Sequence, residues 1–448
     1  MTSAVEQFAS NLNFGAFSKA QELKQRLWYV LFALIVYRIG THIPLPGIDA
    51  VVWTTIFQQK SGGVLDMFNM FSGGALQRMS IFALNIMPYI SASIIMQLMT
   101  SMVPSLENMK KEGEAGRKKL NQYTRYFTII LAVVQAYGLA VGLETMQSGS
   151  GSAVINPGIF FRVTTIITIV GGTIFLMWLG EQITTRGVGN GTSLIIFAGI
   201  VAGIPRAIMG TLELGRQGAI STITILGILV MVVCVVGFIV FMERAHRRVL
   251  VQYPKRMVSA NRMTGGESSH MPLKMNTSGV IPPIFASSLL LLPLTIVGFS
   301  GGQGNEWMDT LARYLQHGSP MYMALYAGLI IFFTFFYTAI VFNPDETAEN
   351  LRKYGGFVPG IRPGKATADY LDHVLSRITV IGAAYLTLVC LLPEFLISKF
   401  SLPFYFGGTS LLITVSVMMD TVAQIHSHLL AHQYEGLIKK AKLRGARK

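Results

Sequence analysis

The chain has 448 residues, of which 51% are hydrophobic and 13% charged, and its formal net charge is +14. A soluble globular chain carries about twice that share of charged residues, so composition excludes one. In a soluble protein such a basic balance would point to nucleic acid, whereas in a chain built from charge-free apolar blocks it first reports topology.

Ten apolar blocks run along the chain: Leu27–Ile43, Met79–Val103, Phe127–Leu143, Ile159–Leu179, Thr192–Met209, Ile220–Met242, Gly279–Ser300, Met321–Phe342, Ile378–Leu392 and Leu402–Met419. Ile220–Met242 alone is 23 residues without a charge, enough to cross a ~30 Å hydrocarbon core as a helix. The blocks are too long, and too featureless at period two, for strands of an outer-membrane barrel. They predict an all-α membrane protein with ten transmembrane helices. The first block follows Lys24 and Arg26 and ends in Thr41-His42-Ile43-Pro44-Leu45-Pro46-Gly47. That is not a small-residue cleavage site, so the first span is expected to remain.

Between the first and second blocks, Gly62-Gly63 and Gly73-Gly74 bracket Val64, Leu65, Asp66, Met67, Phe68, Asn69, Met70, Phe71 and Ser72. Val64, Met67, Phe68 and Phe71 fall at i, i+3, i+4 and i+7, one face of a helix. The segment is too short to span. It fits a re-entrant piece hinged at its glycines, and equally a helix resting on the outer surface. Arg38 and Arg162 lie near outer block ends, where their side chains are expected to snorkel to the interface. Gly187-Val188-Gly189-Asn190-Gly191 follows no strand and does not match a dinucleotide fingerprint, so it is expected to be a flexible turn. Cys234 and Cys390 each lie in an apolar block with no disulfide or metal spacing. Pro282-Pro283 and Pro293 predict a kinked or broken seventh span, because each lacks a backbone donor. His426, His428 and His432 are assigned to a polar membrane-edge helix rather than to a metal. None of the 22 acidic residues sits in mid-span; Glu144, Glu181, Glu394 and Asp420 lie at block ends. Ion-coupled transporters keep buried carboxylates, so this distribution argues against one. No P-loop is present.

With the N-terminus inside, 28 of the 36 lysines and arginines fall on inside segments, which places both ends in the cytoplasm. The chain then divides into a cytoplasmic segment 1–24, a first half 25–216, a second half 217–423 and a basic tail 424–448. Five spans per half make the halves an inverted pair, with a functional centre near the midplane between them. The inside loops 243–276 and 343–377 are long, basic and turn-rich. They suit docking of something large and anionic.

These features converge on one family. Arg38-Ile39-Gly40 leading to Ile43-Pro44-Leu45-Pro46-Gly47, Asn69–Leu76, Ile86–Ile95, Trp178–Thr184, Gly279-Val280-Ile281-Pro282, Val341-Phe342-Asn343-Pro344, Phe357–Gly364 and Phe404–Ser410 occur in order along the chain. With them the whole chain resembles the SecY family, the central subunits of bacterial protein-conducting channels. The resemblance implies an hourglass pore between two five-helix halves, closed by a plug at Val64–Ser72. It implies an apolar constriction from Ile86, Ile90, Ile196, Ile284 and Ile413. Thr192 departs from the apolar residue relatives often have there. A lateral opening between spans two and seven is implied, with Ser91, Gln97 and Asn276 near its seam. Arg247, Arg248, Lys255 and Arg362 are the implied contacts for a motor or ribosome. The implied partners are the small membrane subunits SecE and SecG, the motor ATPase SecA, the ribosome, SecDF, YidC, membrane lipid and signal-bearing polypeptides. No catalytic residue, cofactor or metal is implied, so the chain is not expected to be an enzyme.

Overall fold

A computed structural model describes residues 21–59, 69–145, 147–148, 151–218, 221–253, 256–259, 262–264, 268–299, 319–400 and 408–445. In chain order the larger elements are α1 (Gln21–Gly40), α2 (Ala50–Gln59), α3 (Met87–Met102), α4 (Pro104–Lys111), α5 (Glu114–Thr145), α6 (Ile159–Arg186), α7 (Gly191–Arg216) and α8 (Thr222–Arg244). After the strands β3 (His246–Gln252), β4 (Arg256–Ser259), β5 (Arg262–Thr264) and β6 (Ser268–Lys274) come α9 (Ile281–Phe299), α10 (Pro320–Val341), α11 (Pro344–Lys353), α12 (Lys365–Phe400) and α13 (Gly408–Gly445). The strands β1 (Gln147–Ser148) and β2 (Gly151–Ser152) form a small hairpin after α5. Each of the ten apolar blocks contains a helix among its described residues, as lipid favours: a helix satisfies its own backbone hydrogen bonds. Among the described residues, seven helices are long and apolar enough to cross a membrane, and α3 with α4 forms a further pair bent by 97°.

The chain packs as two compact units, Met1–Ser93 with Gln122–Pro205 and Val417–Lys448, and Ile94–Asn121 with Arg206–Ser416. In the first unit, α5 and α6 are clamped together by two ion pairs. Arg125 donates Nε and Nη2 to Glu181 at 2.8 and 2.7 Å, and Arg162 donates Nε and Nη2 to Glu144 at 2.8 and 2.6 Å. Along either helix the two pairs are nineteen residues apart. At 1.5 Å per residue that is about 28 Å, the thickness of a hydrocarbon core. The pairs therefore mark the two edges of the apolar slab, and Arg162 is an interhelical partner at one of those edges. An aromatic ladder ties α1 to α6: Tyr37, Phe82, Phe175 and Trp178 follow one another at centroid distances of 6.2, 5.9 and 5.9 Å. Each such contact contributes about 0.5–1.5 kcal/mol beyond area burial.

The glycine-rich turn before α7 is locked. Gly189 donates its N–H to Gln424 Oε1 at 2.8 Å, and Gly191 donates to Thr184 Oγ1 at 2.9 Å. A β-carbon on Gly191 would run into the Gly180 carbonyl, so these glycines allow close approach rather than flexibility. Val188 is buried with Leu23, against Leu27, Ile425 and Leu429, which seats α13 beside the start of α1.

In the second unit α10 packs against both α9 and α12. Phe285 meets Phe333 edge-on at 5.7 Å. Pro282 and Pro283 occupy the second and third positions of α9, where the backbone N–H has no helical partner in any case. They start this helix rather than break it. The two long loops fold onto each other. β3 pairs antiparallel with β6, from His246 opposite Lys274 to Gln252 opposite Ser268. Gln252 and Phe357 then exchange both backbone hydrogen bonds at 2.9 and 3.0 Å. Beneath them Val249, Leu273, Val358, Val374 and Ile378 form a small buried core. Asn343 caps α11 by accepting from the N–H groups of Asp345 and Glu346.

Candidate functional site

The second apolar block does not begin as a helix. Residues 69–71 are helical, residues 72–86 are turns and a single bridge residue, and α3 starts only at Met87. Met79 and Asn85 have positive φ, 43° and 50°. Irregular backbone at membrane depth is tolerated only where protein encloses it. Here it is enclosed: Phe71, Ser72, Ala75, Leu76, Met79, Ser80 and Phe82–Met87 are all buried. Glycines on the surrounding helices make the room. A β-carbon on Gly40 would strike the Phe82 ring, one on Gly172 the Ile81 carbonyl, and one on Gly199 the Phe71 carbonyl.

Where the short helical turn ends, its carbonyls find partners in a fixed order. Gly73 and Gly74, at φ 65° and 84°, turn their N–H groups back to Met70 and Asn69 at 3.2 and 2.9 Å. Asn85 Nδ2 donates to the Phe71 carbonyl at 2.6 Å, and the Tyr37 hydroxyl donates to the Ser72 carbonyl at 3.3 Å. Arg38 Nη1 and Arg78 Nη2 both donate to the Gly73 carbonyl, at 2.8 and 3.1 Å. Trp53 Nε1 donates to Leu76 at 3.0 Å. The last carbonyls of a helix are unsatisfied and carry partial negative charge, so two guanidinium groups at this end complement it. Arg38 is thus a brace on the segment 69–73, not a snorkelling residue. Gly73-Gly74 is a closed turn: a β-carbon on Gly73 would lie 2.8 Å from Gly199 Cα.

The other expected site residues fall as follows. Val64–Phe68 and Lys255 lie outside the described residues, while Asn69–Ser72 end in the brace. Ile86 and Ile90 are buried one helical turn apart, with the Ile90 N–H donating to the Ile86 carbonyl at 3.1 Å. Ile196 is buried in the first turns of α7, and Ile413 in those of α13. Ile284 is half-buried in the first turn of α9. Thr192 lies at the start of α7, its N–H donating to Asn190 Oδ1 at 3.1 Å. Ser91 is buried and Gln97 exposed on α3. Asn276 is buried and donates to Glu243 Oε1 at 2.6 Å and to the Gly279 carbonyl at 3.1 Å. Arg247, Arg248 and Arg362 are exposed. Tyr37, Arg78 and Asn85 were not singled out from the sequence. The one local signal was charge and amide flanking a block start; their common target is set by folding.

The sequence profile of the SecY family matches residues 80–422. The chain belongs to the SecY family. It is 55% identical over 430 residues to the protein translocase subunit SecY of Rickettsia typhi, covering 96% of this chain and 99% of that one. It is 56% identical over 425 residues to the protein translocase subunit SecY of Escherichia coli K12, covering 95% and 96%. Among solved structures it is similar to one described as the structure of a protein conducting channel, with a TM-score of 0.67 at 19% identity over 91% of this chain and 92% of that one. A second, on the plug domain of the SecY protein and the closed state of the translocation channel, matches with a TM-score of 0.61 at 19% identity and the same coverage. At that identity the solved structures establish the SecY-type fold.

Proposed function

We infer that this chain is the channel subunit of a protein translocase, passing unfolded secretory polypeptides across the bacterial plasma membrane and releasing apolar segments sideways into lipid. The observation that carries this reading is identity above one half, along nearly the full length, to protein translocase subunits. The arrangement of residues supports its parts. Val64–Ser72 is the plug, with its carboxyl end held by the brace. Ile86, Ile90, Ile196, Ile284 and Ile413 form the constriction between an N-terminal half 25–216 and a C-terminal half 217–423. A ring of stiff β-branched apolar groups resists wetting by ions yet can part around a polypeptide. Ser91, Gln97 and Asn276 lie along the lateral seam, where hydrogen bonds worth about 0.6–2 kcal/mol each are weak enough for a signal helix to displace.

Both termini face the cytoplasm in this reading. Force comes from outside the chain: the motor ATPase SecA or the ribosome docks on the two long loops through Arg247, Arg248, Lys255 and Arg362. SecE and SecG complete the membrane complex, and SecDF and YidC assist it. The deciding experiment places photo-crosslinking probes at Ile90 and Ile413 and traps a stalled secretory chain. Both probes are expected to label it. A trapped chain that labels neither would remove this protein from the translocation path. Purification in mild detergent is expected to bring along one or two single-span chains.

A further inference from the structure

We propose that Asn276 is a coupling pin: its side chain joins the base of the β3–β6 hairpin and the start of α9 to one point on α8, so that a partner seated on the hairpin displaces α9. The proposal rests on the reading of the long loops as the docking surface for a motor or ribosome.

The hairpin leaves the membrane at the end of α8 and re-enters it at α9. α8 ends at Arg244, and the ladder runs from His246 opposite Lys274 to Gln252 opposite Ser268. At its base the Met275 N–H donates to the Ala245 carbonyl at 3.0 Å. The next residue closes the loop. Asn276 is buried, and its Nδ2 donates to Glu243 Oε1, in the last turn of α8, at 2.6 Å and to the Gly279 carbonyl at 3.1 Å. Its Oδ1 accepts from Ser278 Oγ at 3.1 Å. One amide thus ties the end of α8, the base of the hairpin and the turn into α9.

The join is stiff on both sides of the pin. Toward the hairpin, Thr277 Oγ1 donates to the Lys274 carbonyl at 3.1 Å. Toward the membrane, Gly279 turns at φ 63° and α9 opens with Pro282 and Pro283. Proline fixes φ, so the few residues between the pin and α9 have little freedom to absorb a movement. The base of the hairpin also touches α12 closely: a β-carbon on Gly382 would lie 2.9 Å from the Met275 carbonyl. Glycine permits that approach and leaves backbone against which the hairpin can pivot. Glu243 gains nothing from its own helix, because a carboxylate in the last turn faces the negative end of the dipole. Its place suits the group across from it, and a buried amide that loses its acceptor is costly. The contact therefore resists separation, which a transmitting contact requires.

The test uses the full chain with its companion subunits in vesicles, the motor ATPase and a secretory polypeptide. It reads motor binding, ATP-driven export, and the change in distance on motor docking between spin labels at the exposed positions Leu289 on α9 and Leu388 on α12. Asn276→Ala removes the pin, and Glu243→Asp shortens its anchor by one carbon. Both are expected to bind the motor as the wild type does, to lose the label response, and to export about tenfold more slowly, the equivalent of one hydrogen bond to a charged group. Glu243→Gln keeps an acceptor at the same reach and is expected to export at close to the wild-type rate. Asn276→Ala combined with Glu243→Asp should be no worse than either alone, because both break one contact. Wild-type export and label response in Asn276→Ala, or motor binding lost in the same proportion as export, overturns the pin. A wild-type chain on which the motor docks without driving export overturns the reading of function instead.

Discussion

Gly171 and Gly172 are neighbours on α6 with opposite roles. A β-carbon on Gly171 meets nothing within 4 Å, while one on Gly172 would overlap the Ile81 carbonyl. Backbone on both sides cannot move away cheaply, so Gly172→Ala is expected to cost about 1–3 kcal/mol. Gly171→Ala should be neutral or stabilise by up to about 1 kcal/mol, since glycine is a poor helix former. Thermal unfolding of the two variants in detergent separates them; equal Tm values would refute the close approach. Asn85 combines two demands, a positive φ and a donor for the Phe71 carbonyl. Asparagine tolerates that backbone region and alanine does not, so Asn85→Ala loses both. It is expected to cost about 1–3 kcal/mol and to raise resting ion leak. An unchanged leak in a folded Asn85→Ala protein would show that its hold on the Phe71 carbonyl does not help to close the chain to ions.

Among the elements, the α5–α6 hairpin and the segment between α1 and α3 make the sharpest claims. The two ion pairs that clamp the hairpin differ in exposure: the Glu181 side chain is 31% exposed and that of Glu144 10%. Removing a partner from the less solvated carboxylate is the more damaging change. Arg162→Ala is therefore expected to lower Tm more than Arg125→Ala, and the reverse order would contradict the packing described. Deleting residues 64–72 removes the group that Tyr37 and Asn85 hold, but not the ladder of Tyr37, Phe82 and Phe175 that ties α1 to α6. A folded, leaky protein is the expected result, measured as ion conductance in planar bilayers.

At the scale of the whole chain, the two long loops of the second unit fold into one platform. The platform is one body because Gln252 and Phe357 join the two long loops and a shared apolar core lies beneath them. Arg247, Arg248 and Arg362 are exposed on it. Reversing a charge there should disturb docking of a large anionic partner without touching the membrane body. Arg362→Glu is expected to impair motor- or ribosome-driven export severalfold while the protein itself inserts normally. Export at the wild-type rate would strike Arg362 from the docking surface.

Residue type and order alone determined the ten helices, because lipid leaves an apolar block almost no other way to satisfy its backbone. The membership of a channel family was likewise legible in motifs such as Asn69–Leu76 and Ile86–Ile95. The bend after α3 and the start of α9 at its prolines were not, since a proline permits a helix start and a helix break alike. Nor was the brace. Tyr37, Arg38, Arg78 and Asn85 lie up to nearly fifty positions apart, and each has an ordinary local reading on its own. Only folding brings them to three successive carbonyls, because a buried turn must find hydrogen-bond partners from whatever helices enclose it.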